Sequence, residues 1–209
     1  MFESKKVVPP VTGWLELNLS DIVMNYLQER IDIAVEEDVC MKHSLAGNIS
    51  KSVELKDPEG FFMKNVLIPA SNQMMQEFPY ATRKSVSISG VTQKLVLNDF
   101  WVNFQKQHEF NPIHDHGGLF SFVIWVKIPT HFEEQNKLPF LKGMEEPVAS
   151  NFEMAFTNTD GSIKTLSYLM SEQAEGIMLF FPASAKHAVY PFYECEEERI
   201  SISGNIYYT

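Results

Sequence analysis

Two histidines stand two residues apart in Asn111-Pro112-Ile113-His114-Asp115-His116-Gly117-Gly118, and a third closes Pro182-Ala183-Ser184-Ala185-Lys186-His187. Neutral imidazole is the commonest protein ligand to a metal ion. Along an extended strand the side chains on one face repeat every second residue, so His114 and His116 project together and Asp115 projects to the other face. A histidine on a second strand, His187, can then complete a three-point site, and the Gly117-Gly118 pair lets backbone approach closely. Arg199 follows His187 by twelve positions, across an expected turn, and shares a face with Ser201. A planar guanidinium with a hydroxyl beside it suits a carboxylate gripped at two points. Together these residues read as a metal site facing an anchor for an acidic co-substrate.

Each has a plainer explanation. A lone imidazole most often hydrogen-bonds in or near a core. His43, His108 and His131 have no neighbours that suggest more, although His131 falls in a candidate lid. Arg199 follows Glu194, Glu196, Glu197 and Glu198, an acidic run that would serve as its salt-bridge partner at a solvated hairpin end. The pairing of His114 with His116, the distant His187 and the alternation of Arg199 with Ser201 favour the metal site and anchor over these readings.

Positioning such residues takes strands. From Ser85 onward the chain breaks into short β-rich runs, at Lys94–Leu97, Trp101–Phe104, Phe120–Val126, Phe152–Phe156, Ile177–Phe181 and Ile200–Ser203, with turn signals between them. That texture predicts a sandwich or barrel. Before it, an extended piece around Gly13–Leu17 leads to a helix starting at Ser20 and Asp21, with Val23, Leu27, Ile31 and Ala34 as one apolar stripe. A second helical region covers about Pro58 to Phe78, with Phe62, Val66, Met74 and Met75 inward, and Pro69 should break or kink it. Pro129 to Ser150 lacks sustained periodicity and reads as a long loop or lid. Trp101 and Trp125, both on strands, are expected in core packing, with at best a minor role in shaping a pocket.

At 209 residues, with 44% hydrophobic and 12% aromatic side chains, the chain can bury one substantial core. One domain over 1–209 is expected, with a helical buttress at about 20–80 and a β core at about 85–209. A formal charge of −10 leaves no basic stripe for a phosphate backbone and argues against nucleic acid as an obligate partner. Two cysteines, Cys40 and Cys195, make no disulfide framework and suit a reducing cytoplasm. The opening residues carry no apolar leader segment, and no stretch is long enough to span a bilayer. A cytoplasmic protein is expected.

Trp101-Val102-Asn103, Asn111–His116, Ser121–Val126, Phe181–Pro191 and Arg199–Asn205 together resemble the non-haem iron(II) and 2-oxoglutarate-dependent oxygenases, in particular their bacterial and phage branch. Leu45–Ile49 extends the resemblance toward the N-terminus. The resemblance implies a mainly β fold with N-terminal helices, a double-stranded β-helix or jelly roll of cupin-like shape whose mouth holds iron. It implies Fe(II), 2-oxoglutarate and O2 as partners, oxidation of an unidentified primary substrate, and the host cytoplasm as location if the gene is a phage's. Carried over by position, His114 and His187 would be metal ligands, Arg199 would bind the distal carboxylate of 2-oxoglutarate, and Ser201 and Asn103 would assist.

The third ligand departs from the superfamily pattern, in which a carboxylate stands two residues after the first histidine. Here that position is His116, and the acid is Asp115. Three arrangements are open: His116 ligates, Asp115 turns inward through a bulge, or His116 is the first ligand and Gly118 leaves a vacant position. Three histidines with an open position also suit zinc hydrolysis or hydration. Two competing functions follow, a cupin-like metal enzyme that uses no oxo-acid and a non-catalytic jelly-roll binding module.

Overall fold

The computed structural model describes residues 13–42, 46–78 and 94–208. His43, Leu45 and the start of the β-rich region at Ser85 lie outside them. The main sheet has six strands in the order β1 (Leu15–Asn18), β8 (Ile177–Pro182), β5 (Phe120–Lys127), β10 (Arg199–Tyr208), β3 (Leu95–Gln105) and β2 (Lys51–Glu54). A second sheet of four strands runs β4 (Asn111–His114), β9 (Lys186–Val189), β6 (Phe152–Thr157) and β7 (Ile163–Tyr168). All pairings are antiparallel. The expected β architecture with N-terminal helices is thus present.

Strict alternation gives the main sheet two different faces. Phe100, Val102 and Phe104 of β3, Phe120, Phe122 and Ile124 of β5, Met178 and Phe180 of β8, and Ile202 of β10 pack in one apolar cluster with the helices. Helix α1 (Asp21–Glu37) contributes Val23, Leu27, Ile31 and Ala34, the stripe read from the sequence, and Phe62, Leu67 and Met74 come from the second helical region. The residues between them in sequence face the other way. Val123, Trp125, Leu179 and Phe181 meet Phe152 and Met154 of β6 in a second cluster between the sheets. The polar row Arg199, Ser201 and Ser203 of β10 lies opposite Gln105, Asn103 and Trp101 of β3 in register on this same inner face.

Pro69 is accommodated without a break. A single π-helical stretch at Met63–Leu67, in which the Ile68 N–H bonds the Met63 carbonyl, precedes α2 (Ile68–Glu77), whose first turn holds the proline. Widening the helix there leaves room for a ring that in an α-helix would press on the carbonyl four residues back. Ser20 caps α1 in extended conformation, but its side chain makes no capping bond.

Two expectations change. Lys94–Leu97 and Trp101–Phe104 are not separate runs but parts of the one strand β3, and Ile200–Ser203 is the start of the ten-residue β10. Pairing with β10 along its whole length carries β3 through this polar stretch, with a register shift that leaves Asn98 out between Asp99 and Leu97. Residues 129–150 are not an irregular loop throughout. They hold the short helix α3 (Phe132–Gln135) and a turn of 3-10 helix at Pro139–Leu141. The Gln135 side chain ties them down, donating to the Tyr193 carbonyl at 2.9 Å and accepting from the Tyr193 N–H at 2.8 Å. Among the described residues no helix is long and apolar enough to cross a membrane.

Candidate metal centre and co-substrate cavity

His114 ends β4, and its Cα lies opposite that of His187 on β9. His116 stands beyond the strand, anchored by its own N–H to the Ala183 carbonyl at 2.8 Å. The i, i+2 relation therefore survives although the strand stops short of it. Gly118 turns the chain at φ +98, where a Cβ would come within 2.8 Å of the Ile206 carbonyl oxygen, so the close approach expected of the glycine pair is used here. One ring nitrogen from each of His114, His116 and His187 falls within 4.8 Å of the others. The Nε2 atoms of His116 and His187 are 3.2 Å apart.

This arrangement fits a divalent ion. Two nitrogens bound at right angles at about 2.1 Å each would stand about 3 Å apart. His114 Nδ1 lies 2.7 Å from the Pro112 carbonyl and His187 Nδ1 lies 3.0 Å from the Ala185 carbonyl. A carbonyl only accepts, so both Nδ1 atoms carry the proton and both Nε2 atoms keep their lone pairs for an ion. Phe152 and Phe181 lie against the His187 ring, at centroid distances of 5.5 and 5.0 Å, and exclude water from it. Asp115 has a different partner. Its carboxylate pairs with Lys186 at 2.7 Å on the exposed side of the strands, facing away from the histidines as alternation requires.

The three rings are held neutral. Burial, followed by the neighbouring His114, pushes His116 down to about 4 and His187 down to about 3, and burial also lowers His114. A histidine in the unfolded chain titrates near 6.5, so below that pH the unfolded state binds protons that the folded, metal-free state refuses until about pH 4 and below. The contribution of these rings is therefore complete above pH 6.5 and is lost as pH falls from there toward 4. The urea midpoint of the chelator-treated protein is expected to drop between pH 7.5 and pH 5, and a midpoint that rises on acidification would contradict the arrangement.

Arg199, at the start of β10, is only 1% exposed. Its Nη2 donates to the carbonyl and the hydroxyl of Ser150 and its guanidinium carbon lies over the Phe192 ring, 5.1 Å from the centroid, while Nε and Nη1 have no hydrogen-bond partner among the described residues. No carboxylate answers its charge among the described residues. The acidic run goes elsewhere: Glu197 pairs with Lys127 at 2.6 Å, and Glu196 accepts from Gln107. Desolvation alone pulls the guanidinium down to about 9. A buried charge with unused donors is unstable unless an anion arrives.

Asn103 and Ser201, in register with each other, line a cavity together with Gln105, Ser203, Trp101, Asn111 and the three histidines. The side-chain oxygens of Asn103 and Asn111 are buried there without partners. His131 instead caps α3, accepting the Glu133 N–H at 3.2 Å, and His108 packs edge-on against Tyr193, so neither joins the site. Sequence reasoning missed Ser150, Gln105, Asn111 and Trp101 as parts of this region. For Trp101 and Gln105 the signal was available, because both share strand parity with Asn103.

A family model described as "Putative 2OG-Fe(II) oxygenase" matches residues 99–205, just over half of the chain, including His114, His116, His187 and Arg199. The chain belongs to this family. Iron(II) and 2-oxoglutarate are therefore its cofactors, and it is an oxygenase. Among solved structures, a prolyl-4-hydroxylase of Pseudomonas putida is 16% identical with a TM-score of 0.50 over 92% of this chain and 91% of that one. A Trichoplax adhaerens prolyl hydroxylase, solved with a hypoxia inducible factor peptide fragment, is 11% identical with a TM-score of 0.53, covering 94% and 83%. The non-haem alpha-ketoglutarate-dependent carbocyclase of nogalamycin biosynthesis is 10% identical with a TM-score of 0.52, covering 94% and 79%. At these identities the likeness is one of fold, and it makes this sheet pair the jelly roll expected from the sequence. No curated protein matches the chain.

Proposed function

We propose that this oxygenase holds iron(II) through His114, His116 and His187, binds the distal carboxylate of 2-oxoglutarate at Arg199 with Ser201 and Asn103 alongside, and hydroxylates an unidentified primary substrate. The observation that carries the reading is Arg199, a buried guanidinium with two nitrogens and a charge that find no partner among the described residues, in the same row of β10 as Ser201 and Ser203, which line the histidine cavity.

The bound iron and oxo-acid supply the oxidising chemistry, in which O2 and 2-oxoglutarate yield succinate and carbon dioxide as a substrate C–H bond becomes C–OH. The chain's own residues bind and orient. Arg199, fixed by Ser150 through Nη2, meets one carboxylate with its charge and the N–H groups that Ser150 leaves free, which sets the direction of an elongated diacid along β10. The neutral donor set of three imidazoles leaves the charge of a divalent ion to be balanced by a dianionic ligand, so metal and oxo-acid stabilise each other. Phe152, Phe181 and Val123 keep the walls apolar and water scarce.

Under anaerobic conditions, protein loaded with Fe(II) and 2-oxoglutarate is expected to show the weak visible metal-to-ligand band, and admission of air should release succinate. A protein that binds iron but neither develops the band nor forms succinate would be a cupin-like enzyme or a binding module instead.

A further inference from the structure

Trp101 faces the cavity from β3, opposite Ser203 of β10, with its ring centroid 6.0 Å from that of His116. It is 5% exposed, and among the described residues its Nε1–H has no acceptor. A buried indole N–H normally has one. Trp14 illustrates the rule, donating to the Tyr168 hydroxyl at 2.6 Å.

The indole nitrogen only donates, so its missing partner is an acceptor. The cavity wall does not provide it. The oxygens of Asn103 and Asn111 are themselves without partners, and the free nitrogens of the histidines are turned toward one another. The far end of the same row repeats the pattern with Arg199 Nε and Nη1. Unsatisfied donors therefore stand at both ends of the row, separated along β10 by the four residue steps from Arg199 to Ser203, about 13 Å at the usual strand rise. Allowing for the reach of the two side chains, a ligand that satisfies both carries acceptors at both of its ends.

We propose that Trp101 positions the metal-binding end of the oxo-acid, donating its indole N–H to the carboxylate next to the keto group, while Arg199 holds the opposite carboxylate. The proposal rests on the function proposed above. It assigns Trp101 a positioning role for the co-substrate in addition to its packing role, and it explains an indole among polar residues beside the histidines rather than in either apolar cluster.

The test uses the whole chain, 15N-labelled and loaded with Zn(II) as a diamagnetic stand-in. Trp101→Phe keeps the ring and removes the N–H, and the spectrum of this variant assigns the Trp101 indole resonance in the wild type. Adding 2-oxoglutarate to the wild type is expected to move that resonance downfield while the Trp14 resonance stays in place. Calorimetry is expected to give a roughly 10- to 100-fold weaker 2-oxoglutarate affinity for Trp101→Phe, as for loss of a hydrogen bond to a charged group, with Zn(II) affinity unchanged. If 2-oxoglutarate binds the wild type but leaves the Trp101 resonance unmoved, or binds Trp101→Phe equally well, the role of Trp101 is overturned and the function stands. If the wild type does not bind 2-oxoglutarate, the function falls and this role with it.

Discussion

His187→Ala is expected to lower Fe(II) affinity by on the order of 100-fold or more and to abolish the visible band with 2-oxoglutarate. Loss of partners one layer outside a metal site typically costs 10- to 100-fold, so a direct ligand marks the upper end of that range or beyond. His187 is the most sensitive of the three positions. Its ring is wedged between Phe152 and Phe181, and its Nδ1 proton is committed to the Ala185 carbonyl, so its Nε2 is both desolvated and aimed. His131→Ala is the matched control, because that ring caps α3 and has no contact with the site. Its loss is expected to leave metal affinity and the band unchanged. Equal losses in the two variants, measured by anaerobic titration, would refute the assignment of the triad.

His116→Asp separates composition from position at the same site. It restores the acid that the superfamily places two residues after the first histidine, and His116 is the residue that carries the difference in this chain. In the structure Asp115 is already engaged with Lys186 across the exposed face of β4 and β9, which leaves His116 to face inward.

Local alternation made much of this site legible in advance. The facing of His114 and His116, the outward turn of Asp115 and the common face of Arg199 and Ser201 all follow from a period of two, and period is what a sequence displays most directly. The stripe of α1 was equally readable, since each of its four residues is buried. What alternation cannot supply is the partner across a sheet. Ser150 meets Arg199 because residues 129–150 fold back over β10, its N–H bonding the Pro191 carbonyl, and no local signal in an aperiodic segment announces that contact. Strand length was misjudged for a related reason. Asn98 and Asp99 look like turn residues, yet Asp99 is held in β3 by Asn205 and Tyr207 from the neighbouring strand, at 3.0 and 3.1 Å. Trp101 was assigned to packing because an indole on a strand usually belongs there, and only the neighbours of its nitrogen mark it as different.

Arg199→Met is expected to weaken binding without lowering stability. In the metal-free protein the guanidinium is buried without an acid, and two of its three nitrogens make no bond. Exchanging such a charge for an apolar side chain of similar length commonly stabilises by about 1–4 kcal/mol. Against this, the buried Ser150 carbonyl loses its donor, at about 1–3 kcal/mol, while the Ser150 hydroxyl keeps Thr130 at 3.1 Å. At roughly 2–4 °C per kcal/mol for a chain of this size, the metal-free variant is therefore expected to melt at or a few degrees above the wild type. The same substitution removes the partner of a buried carboxylate, a loss of about 2–5 kcal/mol, or roughly 30- to several-thousand-fold in the Kd for 2-oxoglutarate. Arg199→Lys keeps the charge without the planar fork and should fall between wild type and Met in affinity while gaining no stability. Thermal melts with and without 2-oxoglutarate, run on the same preparations, read both effects. An Arg199→Met protein that melts lower than the wild type and still binds 2-oxoglutarate normally would mean that the guanidinium serves only to brace Ser150. A higher melting point joined to lost binding would mean that its burial is a standing cost which the oxo-acid relieves on arrival.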